Sequence, residues 1–225
     1  ASSFIEGSRS ELLRYAENAL GINEKHPETR VLIAQHLVDA ESYDEAIEQI
    51  DIALEVNPRL PEALALKAAI AYLRSNDDEG NSYRKKALST WRTNPNVDHM
   101  IGRNLSRKYW FKEGAAFQRL ALAYQVDFLP AKIQLAQDLL RLGRESEGWA
   151  LADEVHNADP YNISAYNLVT LRDKIDDFET METDHFRVRI SKKEAPVYGQ
   201  RALDLLEPAY DYLTKRYGVE IDEKV

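Results

Sequence analysis

Apolar residues along this chain cluster in short segments with helical spacing, separated by polar turns. Val31, Leu32, Ile33, Leu37 and Val38 crowd one side of a predicted helix over 28–40. Ile47, Ile50 and Leu54 do the same over 44–56, and Asn57-Pro58 stops that helix, because proline cannot continue it and restricts the residue before it. The same pair of helices is predicted again at 62–75 and 78–92, at 96–109 and 112–126, and at 130–142 and 146–158. Gly143 suits a left-handed cap after the first helix of the last pair, and Pro160 closes that pair, three intervals of 34 residues after Pro58.

Small residues recur at that same interval of 34. Ala34, Ala68, Gly102 and Ala136 form one column; Ala46, Gly80, Gly114 and Gly148 a second; Ala19, Ala53, Ala87 and Ala121 a third, each followed by leucine. A fixed interval held without insertion is the mark of a stacked repeat. Glycine inside a helix costs about 1 kcal/mol relative to alanine. Its recurrence in register at Gly80, Gly114 and Gly148 predicts that the two helices of each pair touch there, where a larger side chain would part them.

These residues and this interval resemble the tetratricopeptide repeat, a 34-residue helix–turn–helix unit. Residues 27–60 carry the resemblance in Ile33, Ala34, Leu37, Tyr43, Ala46, Ile50, Ala53 and Pro58, and residues 129–162 in Leu135, Ala136, Leu139, Gly148 and Pro160. Residues 61–94 and 95–128 depart from it. Arg92 and Val126 stand at the proline position, and Lys67 where an apolar residue is usual. The resemblance implies an all-α fold: a right-handed helical solenoid of four repeats and a half repeat at 163–176, preceded by a half repeat within 1–26. It also implies that the first helix of each pair lines a concave groove. In that register the groove-facing residues are Gln35, Val38 and Asp39; Leu66, Ala69 and Tyr72; His99, Arg103, Ser106 and Arg107; Gln134, Gln137 and Arg141; and Asn167 and Lys174. Arg107 and Arg141 share one repeat position and are expected side by side, with Arg103 one turn away. The expected ligand is a protein or peptide with an acidic or carboxylate group on these arginines, whose planar fork suits carboxylates, and an apolar portion near Tyr72. Val31 and Gln35 stand where chaperone-tail-binding members of the family carry Lys and Asn, so a chaperone partner is not expected.

The pattern changes after Phe178. His185-Phe186-Arg187-Val188-Arg189-Ile190 alternates as a half-buried strand does. An amphipathic helix follows, with Tyr198, Ala202, Leu205, Leu206, Ala209, Leu213 and Tyr217 on one face, a kink expected at Pro208, and an end at Tyr217-Gly218. Val219 to Val225 read as extended. Residues 177–225 are thus predicted to form a small strand–helix(–strand) segment, with parallel strands joined by a right-handed crossover and an exposed edge open to self-association. Asp184-His185-Phe186, Leu205-Leu206-Glu207, Ala209-Tyr210 and Tyr217-Gly218 resemble, more weakly, the leading edge of a peptidase MA-like (gluzincin) domain. That resemblance implies an alternative function, as the amino-terminal accessory region of a larger zinc metallopeptidase-like protein.

Composition narrows the chemistry. A net charge of −9 argues against a nucleic-acid partner, since phosphate backbones demand a basic surface. There is no cysteine, the five histidines are scattered without zinc-site spacing, and no phosphate-binding glycine motif occurs, so neither a catalytic role nor a cofactor is expected. No apolar run approaches the roughly 20 residues of a membrane span, and Ala1-Ser2-Ser3-Phe4 does not open a signal peptide; a soluble interaction scaffold is the expectation.

Overall fold

The computed structural model describes residues 9–221 and Lys224. The chain divides into two compact units, Ala1–Gln134 and Leu135–Val225. It is a mostly helical solenoid of the tetratricopeptide-repeat type with a small two-stranded segment near its carboxyl end.

The first unit begins with α1 (Arg9–Ile22), then pairs α2 (Pro27–Asp39) with α3 (Tyr43–Val56), α4 (Pro61–Leu73) with α5 (Asp77–Ala87), and α6 (Pro95–Ser106) with α7 (Phe111–Tyr124). The start of α8 (Leu129–Arg141) follows. The first helix of each pair starts one residue before its predicted start, because Pro27, Pro61 and Pro95 each occupy the first helical turn. There proline's missing N–H is no loss and its fixed φ is already helical. Pairs are closed by one turn used four times at an interval of 34. Glu41, Ser75, Tyr109 and Gly143 are left-handed, with φ of 64°, 58°, 66° and 76°. The next residue donates its N–H five residues back, Ser42 to Leu37, Asn76 to Ala71, Trp110 to Leu105 and Arg144 to Leu139, at 2.9 to 3.1 Å. These are Schellman caps, which satisfy carbonyls the helix end leaves open. Only the fourth turn supplies the glycine that the conformation favours.

The small columns form the core. Ala34, Ala46, Ala53, Ala68 and Ala121 have no exposed surface, and Gly80, Gly102 and Gly114 are buried. A Cβ built at Gly102 would stand 2.8 Å from the Gly114 carbonyl oxygen, and one at Gly80 2.7 Å from the Tyr72 ring. The helices of a pair do touch at these glycines. Lys67, the departure from the apolar pattern, is half-buried, its Nζ 2.5 Å from Asp51 Oδ1 and 5.3 Å from the centre of the Tyr83 ring.

The second unit holds the rest of α8, then α9 (Glu145–Ala158), α10 (Ile163–Ile175), β1 (Phe178–Glu182), β2 (Arg187–Ser191), a π turn (Ala195–Gly199) and α11 (Gln200–Tyr217). Gly148 packs under Leu140, where a Cβ would come within 2.7 Å. The predicted strand and helix are present as β2 and α11, and a further strand, β1, precedes them. β1 and β2 pair antiparallel, Phe178 opposite Ser191 and Glu182 opposite Arg187, and both precede α11. Phe178 to Glu182 was missed as a strand because Glu179, Thr180 and Glu182 are exposed and it shows no apolar alternation. No parallel crossover is needed, since a short turn joins antiparallel neighbours. α11 runs unbroken through Pro208 and ends at Gly218 in a left-handed cap. Residues 219–221 form no strand, and 222, 223 and 225 lie outside the described residues, as do 1–8 of the predicted half repeat.

Candidate functional site

In the first unit the first helices of successive pairs border a groove of about 520 Å³. Its rim repeats with the chain: Glu28, Glu62, Asn96 and Pro130 line it, each 34 residues after the last. Val31 and Leu32 of α2 and Met100 of α6 give it an apolar wall, and Gln35, His99, Arg103 and Asn104 supply polar groups.

These polar groups differ in how fully they are satisfied. Gln35 and Asn104 exchange hydrogen bonds: Gln35 Nε2 donates to Asn104 Oδ1 at 2.7 Å, and Asn104 Nδ2 donates to Gln35 Oε1 at 3.2 Å and to the Met100 carbonyl at 2.8 Å. The bond joins α2 to α6 across α4. Nearby, Arg107 donates to both oxygens of Asp39, and Lys108 Nζ reaches the Asp39 carbonyl at 3.0 Å and Glu41 Oε1 at 2.9 Å. The carboxyl ends of α2 and α6 are therefore tied together. His99 is buried and faces Gln118 of α7 at 2.9 Å from its Nδ1. Gln118 donates its Nε2 hydrogen to the His99 carbonyl at 3.2 Å, so Oε1 is the atom facing Nδ1, Nδ1 carries the ring hydrogen, and Nε2 is left as an acceptor. Burial lowers the imidazole pKa to about 4, with a contribution from Arg103, so His99 is neutral at pH 7. Arg103 is the exception among the polar groups. Burial, then the neighbouring Arg107 charge, lowers its pKa, and Asp39 offsets this in part. Among the described residues its guanidinium has no hydrogen-bond or ion-pair partner.

Of the expected groove residues, the structure brings Gln35, His99 and Arg103 together. Val38 and Leu66 are core residues, 1% and 0% exposed. Tyr72, expected as an open apolar anchor, is 8% exposed, with its hydroxyl donating to Asn81 and its ring against Phe117. The reason differs for the two: Leu66 packs into the core with Ala34 and Val38 of α2, whereas Tyr72 lies against Gly80 of α5 and Phe117 of α7. Arg107 is exposed but already holds Asp39. Gln134 is half-buried on α8. In the second unit Gln137 is half-buried, and Arg141 and Lys174 are exposed. Glu28, Glu62, Asn96, Met100 and Asn104 were not singled out from the sequence. The 34-residue interval was the available signal for the rim, since Glu28 alone generates the other three positions.

A second polar cluster lies in the second unit. The His185 N–H donates to Glu207 Oε1 at 3.0 Å, its Nδ1 sits 2.7 Å from Oε2, and its ring stacks 3.8 Å from that of Tyr210. Bonds from Thr183 and His185 hold the Glu207 carboxyl down to about 2. Arg187 and Arg189 of β2 both bond Glu145 at the start of α9. These contacts fasten the hairpin to α9 and α11. Among the described residues no group of three or more His, Asp or Glu is placed to hold a metal ion, and no helix is long and apolar enough to cross a membrane.

The tetratricopeptide repeat family profile matches residues 12–70. Yeast Tom70 superposes with a TM-score of 0.54 at 18% identity, over 78% of this chain and 38% of that one. TTC0263, a thermophilic tetratricopeptide-repeat protein of Thermus thermophilus, superposes at 0.52 and 19% identity, over 70% of this chain and 87% of that one. This chain thus spans little more than a third of Tom70, and at such identities the likeness is one of fold. No curated protein sequence matches significantly. The profile match over residues 12–70 and the repeated helix pairs together show a fold of the tetratricopeptide-repeat type.

Proposed function

We propose that the chain is a non-catalytic interaction scaffold that holds a peptide segment of a partner protein in the first unit's groove. An apolar side chain lies against Val31, Leu32 and Met100, and an acidic side chain or terminal carboxylate meets Arg103. The observation that carries this reading is Arg103: a cation drawn out of water beside a groove, without a partner among the described residues. Burying such a charge is costly until an anion meets it, and a bidentate carboxylate both neutralises and orients a guanidinium. The neutral His99 adds an acceptor for a backbone N–H. Arg107 is not part of this site, because Asp39 already occupies it.

Selection from a displayed random-peptide library tests the reading. Peptides pairing an acidic with an apolar residue are expected, and Arg103→Ala should weaken their binding at least tenfold and flatten its salt dependence. Enrichment unchanged by Arg103→Ala would refute it.

A second reading has one observation behind it. The residues resembling the leading edge of a gluzincin domain are clustered, His185 bonded to Glu207 and stacked on Tyr210. On that reading the repeats are an accessory region of a larger metallopeptidase-like protein. An H-E-x-x-H motif in the reading frame downstream would support it, and a frame without one would remove it.

A further inference from the structure

Residues 84–92 read Arg-Lys-Lys-Ala-Leu-Ser-Thr-Trp-Arg, four cations without a carboxylate in a chain of net charge −9. Arg92 stands at the repeat position that Pro58 and Pro160 fill elsewhere. The structure gathers this segment around a concavity of about 610 Å³ lined by Asn81, Arg84, Lys85, Leu88, Ser89 and Arg92. It contributes nothing to the groove.

Arg84 is fixed there by the fully buried Asp98, with Nε 2.5 Å from Oδ1 and Nη2 2.8 Å from Oδ2. Lys85 and Arg92 have no hydrogen-bond or ion-pair partner among the described residues. Trp91 is 55% exposed, and its indole N–H is spent on Thr93 Oγ1 at 3.1 Å. Cations in a last turn offset the negative end of the helix dipole, which accounts for Lys85 and Lys86. It does not account for Arg92, which lies beyond the end of α5 at Ala87 and replaces a proline.

We propose that this concavity is a phosphate site. Lys85 and Arg92 neutralise the group, the Ser89 hydroxyl and Asn81 amide donate to its oxygens, and Arg84 supplies the rigid wall. Phosphate fits better than a carboxylate because the donors outnumber what two oxygens take up, whereas a phosphate monoester offers three terminal oxygens and close to two charges. An extended polyanion is disfavoured by the chain's net charge of −9.

The test titrates the full chain with inorganic phosphate and pyrophosphate at constant ionic strength, by calorimetry. The expected result is saturable binding at one site, tighter for pyrophosphate, and weakened at least tenfold in Lys85→Ala and in Arg92→Ala. Arg92→Pro installs the residue found at positions 58 and 160 and should lose binding with thermal unfolding unchanged, which separates the site from the fold. Flotation with vesicles of phosphatidylcholine, with and without phosphatidic acid, tells a lipid-borne phosphate from a free one: Arg92-dependent flotation on the acidic vesicles assigns the lipid, and its absence beside pyrophosphate binding assigns the free group. Absence of saturable binding to both anions, binding indifferent to Lys85 and Arg92, or tighter binding of a glutamate-rich peptide than of pyrophosphate overturns the proposal.

Discussion

Three glycines separate helix propensity from close packing, and Gly102→Ala is the decisive substitution. Gly102 lies within α6, where alanine gains about 1 kcal/mol of helix propensity. Against that, the new Cβ would stand 2.6 Å from Gln118 Nε2, 2.8 Å from the Gly114 carbonyl oxygen and 2.9 Å from Phe117 Cβ. The oxygen is backbone and cannot swing aside, so α6 and α7 must part, at the roughly 1–3 kcal/mol that overpacking costs. Moving Gln118 also strains its two bonds to His99, each contributing about 0.5–1.5 kcal/mol. The net expectation is a loss of about 1–5 kcal/mol. Gly21, near the end of α1, has nothing within 4 Å of its Cβ position, so Gly21→Ala should leave stability unchanged or raise it by up to about 1 kcal/mol. Gly80→Ala falls between, because the obstacle is the Tyr72 ring, a side chain, though one held by Asn81. Urea unfolding followed by far-ultraviolet circular dichroism reads all three, with a common m-value required for the comparison. If Gly102→Ala proves as stable as Gly21→Ala, the columns of small residues do not mark helix contacts and the packing account fails.

Two further outcomes are expected. Tyr109 is 82% exposed in a left-handed turn, a conformation that costs an ordinary residue about 1–2 kcal/mol, so Tyr109→Gly should raise stability by about 0.5–1 kcal/mol after the glycine's unfolded-state entropy is deducted. A loss exceeding about 1 kcal/mol in the same urea titration would mean that its edge-on contact with Phe111 governs the turn. The Glu145 carboxyl is held below its ordinary range, first by the hydrogen bond from Arg189, with burial opposing. A lowered folded pKa contributes stability that is present above the unfolded value, roughly 4.3, and is lost as pH falls through the folded value. The protection factors of the β1–β2 amides, corrected for the intrinsic pH dependence of exchange, should therefore fall on acidification, and Glu145→Gln should abolish that pH step; a step that survives the substitution would place the titrating group elsewhere.

Much of the fold was legible because its determinants are local and repeated. Pro58, Pro160, Gly143 and the alanine columns each act within one helix pair, and the interval multiplies a weak signal into a strong one. The antiparallel hairpin was not legible. Glu179, Thr180 and Glu182 point to solvent and gave β1 no apolar face, so only its partner strand could be read. Of the groove, Gln35, His99 and Arg103 were found by register, while the pairing of Arg107 with Asp39 was not, since those residues lie 68 positions apart and meet only once the helices stack.

The misplacement of Leu66 and Tyr72 has a cause that the sequence carried. Register assigned them to the groove because they sit on a first helix. Yet α4, Pro-Glu-Ala-Leu-Ala-Leu-Lys-Ala-Ala-Ile-Ala-Tyr-Leu, has no polar face, its only charge beyond Glu62 being that of Lys67, which is paired to Asp51. A helix apolar all round is a buried helix. Its composition predicts cover on the groove side as well as the outer side, and the structure supplies that cover in the bond between Gln35 and Asn104. Where all-round hydrophobicity and repeat register disagree about exposure, hydrophobicity decides. Water makes no allowance for repeat position, and exposing Leu66 and Tyr72 would each forgo about 1.5–3 kcal/mol of the burial that α2 provides for the first and α5 and α7 for the second. The groove is consequently shorter than the register implies, and inside the rim its polar lining narrows to Gln35, His99, Arg103 and Asn104.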